Sequence, residues 1–214
     1  VSPLHVFFAN CGDSRAVLIR ENKVAFSTVD HKPANPGEKE RIVNAGGSVM
    51  IQRVNGSLAV SRSLGDYDYK KVEGKGPTEQ LVSPEPEITV IDRDNDNDQI
   101  IILACDGVWD VMSNDDICDF MLHRLSVKED LSEISNEIID TCLYKGSRDN
   151  MSVVLVAFEK CPGIQKDVQE KDKSIDDLLT KHVKEYVEKC NPGEAELNSL
   201  LLSIQSLAII NYPP

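Results

Sequence analysis

Basic residues are scarce in this chain. Among its 214 residues, 23 Lys and Arg stand against 36 Asp and Glu, a formal net charge of −13. That deficit argues against general nucleic-acid binding and against attachment to an acidic membrane surface, since both need a basic face. It suits the binding of cations or of basic partners. Long apolar runs are also missing: none approaches the ~20 residues that a transmembrane segment requires. There is no Cys-x-x-Cys pair and no Cys/His cluster at zinc spacing. The six cysteines, Cys11, Cys105, Cys118, Cys142, Cys161 and Cys190, are scattered; Cys105 ends an apolar strand and Cys118 and Cys142 sit in amphipathic helical patterns, places where cysteines read as reduced, buried small hydrophobes. That usage points to a reducing intracellular compartment, cytoplasmic or nuclear, in which the Asn-x-Ser sequons at Asn55 and Asn150 carry no glycosylation reading. Gly-x-Ser-x-Gly elbow, Walker loop and Cys-nucleophile signatures are absent. His5, His31, His123 and His182 share no motif, and His123 and His182, in helical patterns, are expected on the surface. Val1-Ser2-Pro3 offers neither an initiator Met nor a signal peptide, and Leu4–Ala9 reads as the middle of a fold, so a truncated chain is expected.

What remains is an ordinary globular composition, 41% hydrophobic, at a length suited to one large domain with an appendage. The first half is strand-rich. Val6–Ala9 and Ala16–Ile19 flank the polar turn Asn10–Arg15, which reads as a possible hairpin; Val24–Thr28 is a further candidate strand. A short helix is expected near Glu38–Asn44, stopped by Gly46-Gly47. Asn55-Gly56 is a strong hairpin signal between Ser48–Val54 and Ser57–Ser61. Glu87–Ile91, Gln99–Cys105 and Met151–Phe158 read as strands, with Ile100–Ala104 buried on both faces. Ser113 with Asp116 forms a capping box for one amphipathic helix, and Leu131, Ile134, Ile138 and Cys142 stripe a second. Gln165–Lys173 reads as a polar linker. Beyond it, helices are expected near Ser174–Lys189, capped by Ser174 and Asp177, and near Glu194–Ile209, their apolar faces packed together.

Aspartates carry the most chemistry. Asp106 terminates the apolar run Ile100–Cys105, an awkward place for a carboxylate without a partner. Asp149 immediately precedes the strand Met151–Phe158, so antiparallel neighbours would bring both to one sheet end. Asp13, in its turn, could reach the same end. Several carboxylates there suit a hard cation such as Mg²⁺ or Mn²⁺, while each one alone reads equally as a turn former or helix cap. Asp92–Asp98 resembles the start of a calcium loop, but its sixth position is Asn97 and its twelfth Leu103, so a solvated turn is the better reading. The loop Gly65–Lys71 with Lys75 reads either as a peptide-facing edge or as ordinary surface.

Five segments in order resemble the successive motifs of the metal-dependent (type 2C) protein serine/threonine phosphatases: Asn10–Arg15, Asp30–Pro33, Val60–Asp66, Ala104–Asp110 and Ser147–Ser152. Gly46–Gly56 and Gly74–Glu87 are similar to the animal alpha/beta magnesium-dependent forms in particular. The resemblance implies an α+β fold, a four-layer sandwich of two antiparallel β-sheets flanked by helices, truncated at its N-terminus and followed by a C-terminal helical appendage. It divides the chain into residues 1–160 as the C-terminal portion of a catalytic domain, a linker at 161–173 and the appendage at 174–214, with a flap about residues 30–65 beside the active site.

The implied activity is hydrolysis of phosphoserine and phosphothreonine in phosphorylated protein substrates by a metal-activated water at a dinuclear Mg²⁺/Mn²⁺ site. By resemblance, Asp106 and Asp149 are ligands of the two ions, and Asp13 and Asp110 lie around a third, weaker position that shares Asp106. The family's Asp-Gly-His-Gly-Gly motif, its general acid and its phosphate-holding Arg have no counterpart here, so no residue of this chain takes those catalytic roles, and the chain alone is expected to be inactive. The competing expectation is a phosphatase-like partner-binding module without activity.

Overall fold

The computed structural model describes residues 1–190 and 197–205. They form two compact units: one comprises Val1–His123 and Asp130–Pro162, and the other groups Arg124–Glu129 with the chain from Gly163 onward.

The first unit is built on antiparallel sheets. Strands β1 (His5–Asn10), β2 (Arg15–Arg20) and β3 (Lys23–Ser27) are followed by helix α1 (Pro36–Asn44) and the short strands β4 (Val49–Met50) and β5 (Arg53–Val54). Then come β6 (Glu87–Asp92), β7 (Asp98–Ala104), helices α2 (Asp106–Trp109), α3 (Asn114–Val127, grouped with the second unit from Arg124) and α4 (Leu131–Tyr144), and β8 (Val153–Ala157). The main sheet is four-stranded in the order β3-β2-β7-β8, and β1 pairs with β6 in a separate sheet.

Alternation along the strands explains how the sheets meet. Val6 and Phe8 of β1 pack with Ala16 and Leu18 of β2 and Ile101 of β7 in one buried cluster. The other face of the main sheet, Val17, Ile19, Ile100 and Ile102, is sealed from solvent, and α4 contacts β8 through a helix that buries Ile134, Ile138 and Cys142. Phe7, Ile88 and Val90 are 55%, 57% and 51% exposed.

The expected β1–β2 hairpin does not form: β1 and β2 lie in different sheets, and the Asn10–Arg15 turn arches between them. Both strands put alternate apolar residues into the sandwich interior, which an arch satisfies better than in-plane pairing. The Ser48–Val54 run also differs, folding back on itself at Ile51 and Gln52, both with positive φ (50° and 59°). Asn55-Gly56 makes its own tight turn, with a bridge from Val54 to Leu58. The capping box of α3 is present, with Asp116 N–H donating to Ser113 Oγ (3.1 Å) and Ser113 N–H to Asp116 Oδ2 (2.9 Å).

The acidic turn after β6 is only partly solvated. Asp94 accepts from the Asp96 N–H (3.1 Å) and the Asn97 side chain (2.9 Å), a local turn lock. The Asp98 side chain is fully buried at the start of β7, with Arg20 Nε at 2.8 Å and Arg93 Nε at 3.2 Å. The Arg93 guanidinium lies 4.4 Å from the Phe158 ring centroid.

In the second unit, α5 spans Lys166–Lys189 and α6 spans Leu197–Gln205. The segment Gln165–Lys173, expected to be free of helix, is helical from Lys166, and Ser174 lies inside the helix rather than capping it. Its Lys, Glu and Gln residues favour helix without supplying an apolar stripe. Gln165 N–H donates to the Ser126 carbonyl (2.8 Å), the Gln169 side chain donates to the Val127 carbonyl (2.8 Å), and Asp172 pairs with Arg124 (3.3 Å). His182, half-buried rather than free on the surface, meets Ser203 Oγ at 3.0 Å. Of the expected helix Glu194–Ile209, residues 194–196 and 206–209 lie outside the described residues.

Replacing Asp98 by Ala would leave two arginines around a void, and it should destabilise the first unit by about 3–5 kcal/mol. Urea denaturation of Asp98→Ala against the wild type checks this, and a loss below 1 kcal/mol would contradict the buried-pair account.

Candidate functional site

Sheet register decides where the aspartates go. Arg15 at the start of β2 is paired with Ala104 at the end of β7, and Ala104 with Val153 at the start of β8. The turn carrying Asp13, the junction carrying Asp106 and the loop carrying Asp149 therefore emerge at one end of the main sheet. Asp106 opens α2 directly after β7, and Asp110 closes that helix on an exposed position. The α2 turn is fixed by Trp109, whose Nε1–H donates to the Ala104 carbonyl at 2.8 Å.

The Asp106 and Asp149 segments are stitched together at their backbones. Ser147 Oγ donates to the Gly107 carbonyl (2.6 Å), Cys105 N–H to the Ser152 carbonyl (3.3 Å), and Cys105 Sγ lies 3.2 Å from the Asn150 carbonyl. Gly107 permits this approach, because a Cβ there would stand 2.5 Å from the Asn150 carbonyl oxygen and 3.0 Å from Met151 Cγ. Asp149 Oδ1 accepts from the Asn150 N–H at 2.7 Å.

His31 holds the Asp13 turn. Its backbone N–H donates to the Gly12 carbonyl (2.9 Å), and its Nδ1 accepts from the Gly12 N–H (3.2 Å). With Nδ1 accepting, the ring proton resides on Nε2, which faces Glu87 Oε2 at 3.3 Å. The ring is buried (3% exposed), so this histidine is a structural strut. The next residue, Lys32, donates from Nζ to Asp13 Oδ2 at 2.5 Å. Arg15 grips Asp30 through two bonds of 2.9 Å and reaches Asn114 Oδ1 at 2.8 Å, with its guanidinium 5.0 Å from the Trp109 ring centroid.

Electrostatics ties the set together. Burial first, then the charges of Asp13, Asp149 and Asp110, push the Asp106 carboxyl above its ordinary value, with Lys32 opposing. Among the described residues, no three His, Cys, Asp or Glu side chains stand at metal-ligating spacing. The donors nevertheless suit a hard divalent cation in type and charge: all are carboxylates, and Asp106 sits in a field that added positive charge would relieve. A cleft of about 440 Å³ opens beside this end, lined in part by Asn10, Arg15, Leu103, Cys105 and Ser152.

A buried clamp on α1 carries no motif in the sequence. Glu38 of α1, 6% exposed, accepts from Arg62 Nε and Nη2 (3.0 and 2.7 Å), Arg41 Nη1 (2.7 Å) and Ser61 Oγ (2.6 Å). Burial alone would raise its pKa, but the hydrogen bonds from Arg62, Ser61 and Arg41 and the Arg41 charge hold it at about 2. The available signal was a Glu and an Arg three residues apart on one helical face, Glu38 and Arg41, with Arg62 beyond the β4–β5 hairpin.

The family description "Protein phosphatase 2C" matches residues 1–151, and "Protein serine/threonine phosphatase 2C, C-terminal domain" matches residues 152–214. Human protein phosphatase 1A is 57% identical over 214 residues, covering all of this chain and 56% of the relative. Human protein phosphatase 1B is 58% identical over 215 residues, with 45% of its length covered. The chain thus spans about half the length of these relatives. Among solved structures, a phosphatase from a pathogenic strain of Toxoplasma gondii is 37% identical with a TM-score of 0.69, covering 73% of this chain and 49% of that one. A C. elegans sex determining protein gives 28% identity and a TM-score of 0.64, covering 78% and 39%.

Two outcomes check this anatomy. Gly107→Ala should force the Asn150 backbone away from α2 and cost about 1–3 kcal/mol, read as a lower melting temperature; an unchanged one would contradict the close approach. Because the Glu38 pKa is depressed on folding, its contribution, on the order of 3 kcal/mol, is fully present above the unfolded value of 4.5 and lost as pH falls through about 2. The stability gap between wild type and Glu38→Gln should therefore be widest above pH 4.5 and narrow toward pH 2. Thermal unfolding across that range tests the sign.

Proposed function

The chain belongs to the protein phosphatase 2C family, and on that premise we propose that it forms the Asp13, Asp106, Asp110 and Asp149 part of a protein serine/threonine phosphatase acting on phosphoserine and phosphothreonine in protein substrates. The observation that supports this reading most directly is the register that brings the Asp13, Asp106 and Asp149 segments to one sheet end, where the other carboxylates raise the Asp106 pKa. Asp106 and Asp149 are the proposed holders of two Mg²⁺ or Mn²⁺ ions, with Asp13 and Asp110 serving a third position.

Bound there, such ions would acidify a water and offset charge building on the phosphoryl oxygens. The chain's own residues do the positioning. Stitching of the Cys105–Gly107 and Ser147–Ser152 backbones fixes the spacing of Asp106 and Asp149, and the His31 strut fixes the Asp13 turn. The Glu38 clamp fixes α1 against Ser61 and Arg62, setting the base of the segment that faces substrate. An intracellular setting is part of the proposal, supported by six free cysteines.

The test is a chimera joining the uncovered part of human protein phosphatase 1A ahead of Val1. It should hydrolyse a phosphothreonine peptide with Mn²⁺. Asp106→Ala or Asp149→Ala should lower turnover by roughly 100-fold or more, and Asp110→Ala should mainly shift the dependence on added metal. A folded but inactive chimera would overturn the reading, and a fully active Asp106→Ala would overturn the assignment of that residue.

A further inference from the structure

We infer that Lys32 is a built-in competitor for the cation at Asp13: its ammonium holds the carboxylate when no divalent ion is present and must leave when one binds, which weakens affinity at that position. The inference rests on the proposed reading of Asp13 as a cation-side carboxylate.

The geometry sets one positive charge on this carboxylate. Lys32 Nζ lies 2.5 Å from Asp13 Oδ2, and the Lys32 side chain is 37% exposed against 16% for Asp13. The carboxylate is therefore the sheltered partner, and the ammonium has water to return to. Leaving costs little on the Lys32 side, since an ammonium with access to water gains only about 1 kcal/mol or less from such a pair.

The backbone behind Lys32 is pinned independently of that contact. His31 bonds both ways with Gly12, and its carbonyl accepts from the Ser61 N–H (3.0 Å) and from Ser61 Oγ (2.8 Å). Displacement therefore needs only a swing of the Lys32 side chain, without rebuilding the flap. Holding Asp13 in place before the ion arrives lowers the ordering cost of binding, while the like charge of the ammonium opposes the ion. Lys32 acts through Asp13 and is a positioning residue.

Two measurements on the 214-residue chain, with folding verified by circular dichroism, separate the contact from the competition. Amine acylation read by peptide mass spectrometry should modify Lys32 slowly in the cation-free wild type and several-fold faster in Asp13→Asn, with Asp13→Ser as a second variant. Equal rates in folded variants would overturn the contact. Mn²⁺ binding followed by electron paramagnetic resonance should be about fivefold tighter in Lys32→Met and unchanged in Lys32→Arg, which keeps the charge. Mn²⁺ should also speed Lys32 acylation in the wild type, with the same midpoint as binding. Unaltered affinity in Lys32→Met, or bound Mn²⁺ that leaves Lys32 acylation unchanged, would overturn the competition while the cation reading of Asp13 stands. No Mn²⁺ bound by any variant would overturn the cation reading, and the competition with it.

Discussion

Carboxylates brought to one end of a sheet repel each other, and much of the first unit is arranged to hold them there regardless. Asp106 feels Asp13, Asp149 and Asp110, and its raised pKa records that crowding. The restraint comes from backbone rather than from counter-charge. The pairing of Ala104 with Arg15 and Val153, the Trp109–Ala104 bond and the Gly107–Asn150 approach fix the chain segments before any side chain is considered. A ladder of main-chain hydrogen bonds does not respond to charge at its end, so the repulsion cannot relax by moving the strands. The Lys32 ammonium offsets it in part.

Other acids in the same fold are treated differently. Asp98 lies buried between two arginines at the start of β7, the end away from Asp106. Glu38 receives two arginines and a serine hydroxyl. Asp30 takes a bidentate Arg15. Each is a carboxylate whose desolvation is met by guanidinium hydrogen bonds, the arrangement expected of structural acids. Among the described residues, the salt bridges reach the aspartate set only at Asp13, through the flexible Lys32. The contrast separates the acids paired with arginine from the aspartates at the end of the main sheet.

Much of this was legible in the sequence, for identifiable reasons. Alternating or continuous apolar runs marked β1, β2, β6, β7 and β8 to within two residues, because burial of one or both faces imposes period two. The α3 capping box was readable because it is a local motif closed within four residues. Asp106 and Asp149 could be placed near one another because both abut apolar runs that needed neighbours. What could not be read was non-local. Nothing in Asn10–Arg15 says whether the turn pairs its strands or arches between sheets, since that depends on β6 and β7, dozens of residues later. Gln165–Lys173 lacks an apolar stripe, and its helix is anchored by carbonyls of Ser126 and Val127. His31 looked unassignable because its partners, Gly12 and Glu87, are 19 and 56 residues away.

The β4–β5 hairpin shows where local chemistry and conformation disagree. Two-residue turns with both φ positive favour Asn-Gly, and Asn55-Gly56 obeys that preference. One turn earlier, Ile51 and Gln52 adopt the same region, and Ile51 is 91% exposed. A β-branched residue in the left-handed region costs of order 1–2 kcal/mol, and exposed apolar surface returns nothing in the folded chain. Such a conformation persists only where its surroundings over-determine it. Here they do: Asn55 Oδ1 accepts from the Ser48 N–H (2.9 Å), the Asn55 N–H donates to the Ser48 carbonyl (2.8 Å), and Arg53 reaches the Ser57 carbonyl (2.8 Å). Val54 and Ile42 are fully buried beneath, in a cluster with Val82. The strained tip is therefore held by its base, and the base is tied through α1 to the same Glu38 clamp that fixes Ser61 and, through His31, the Asp13 turn.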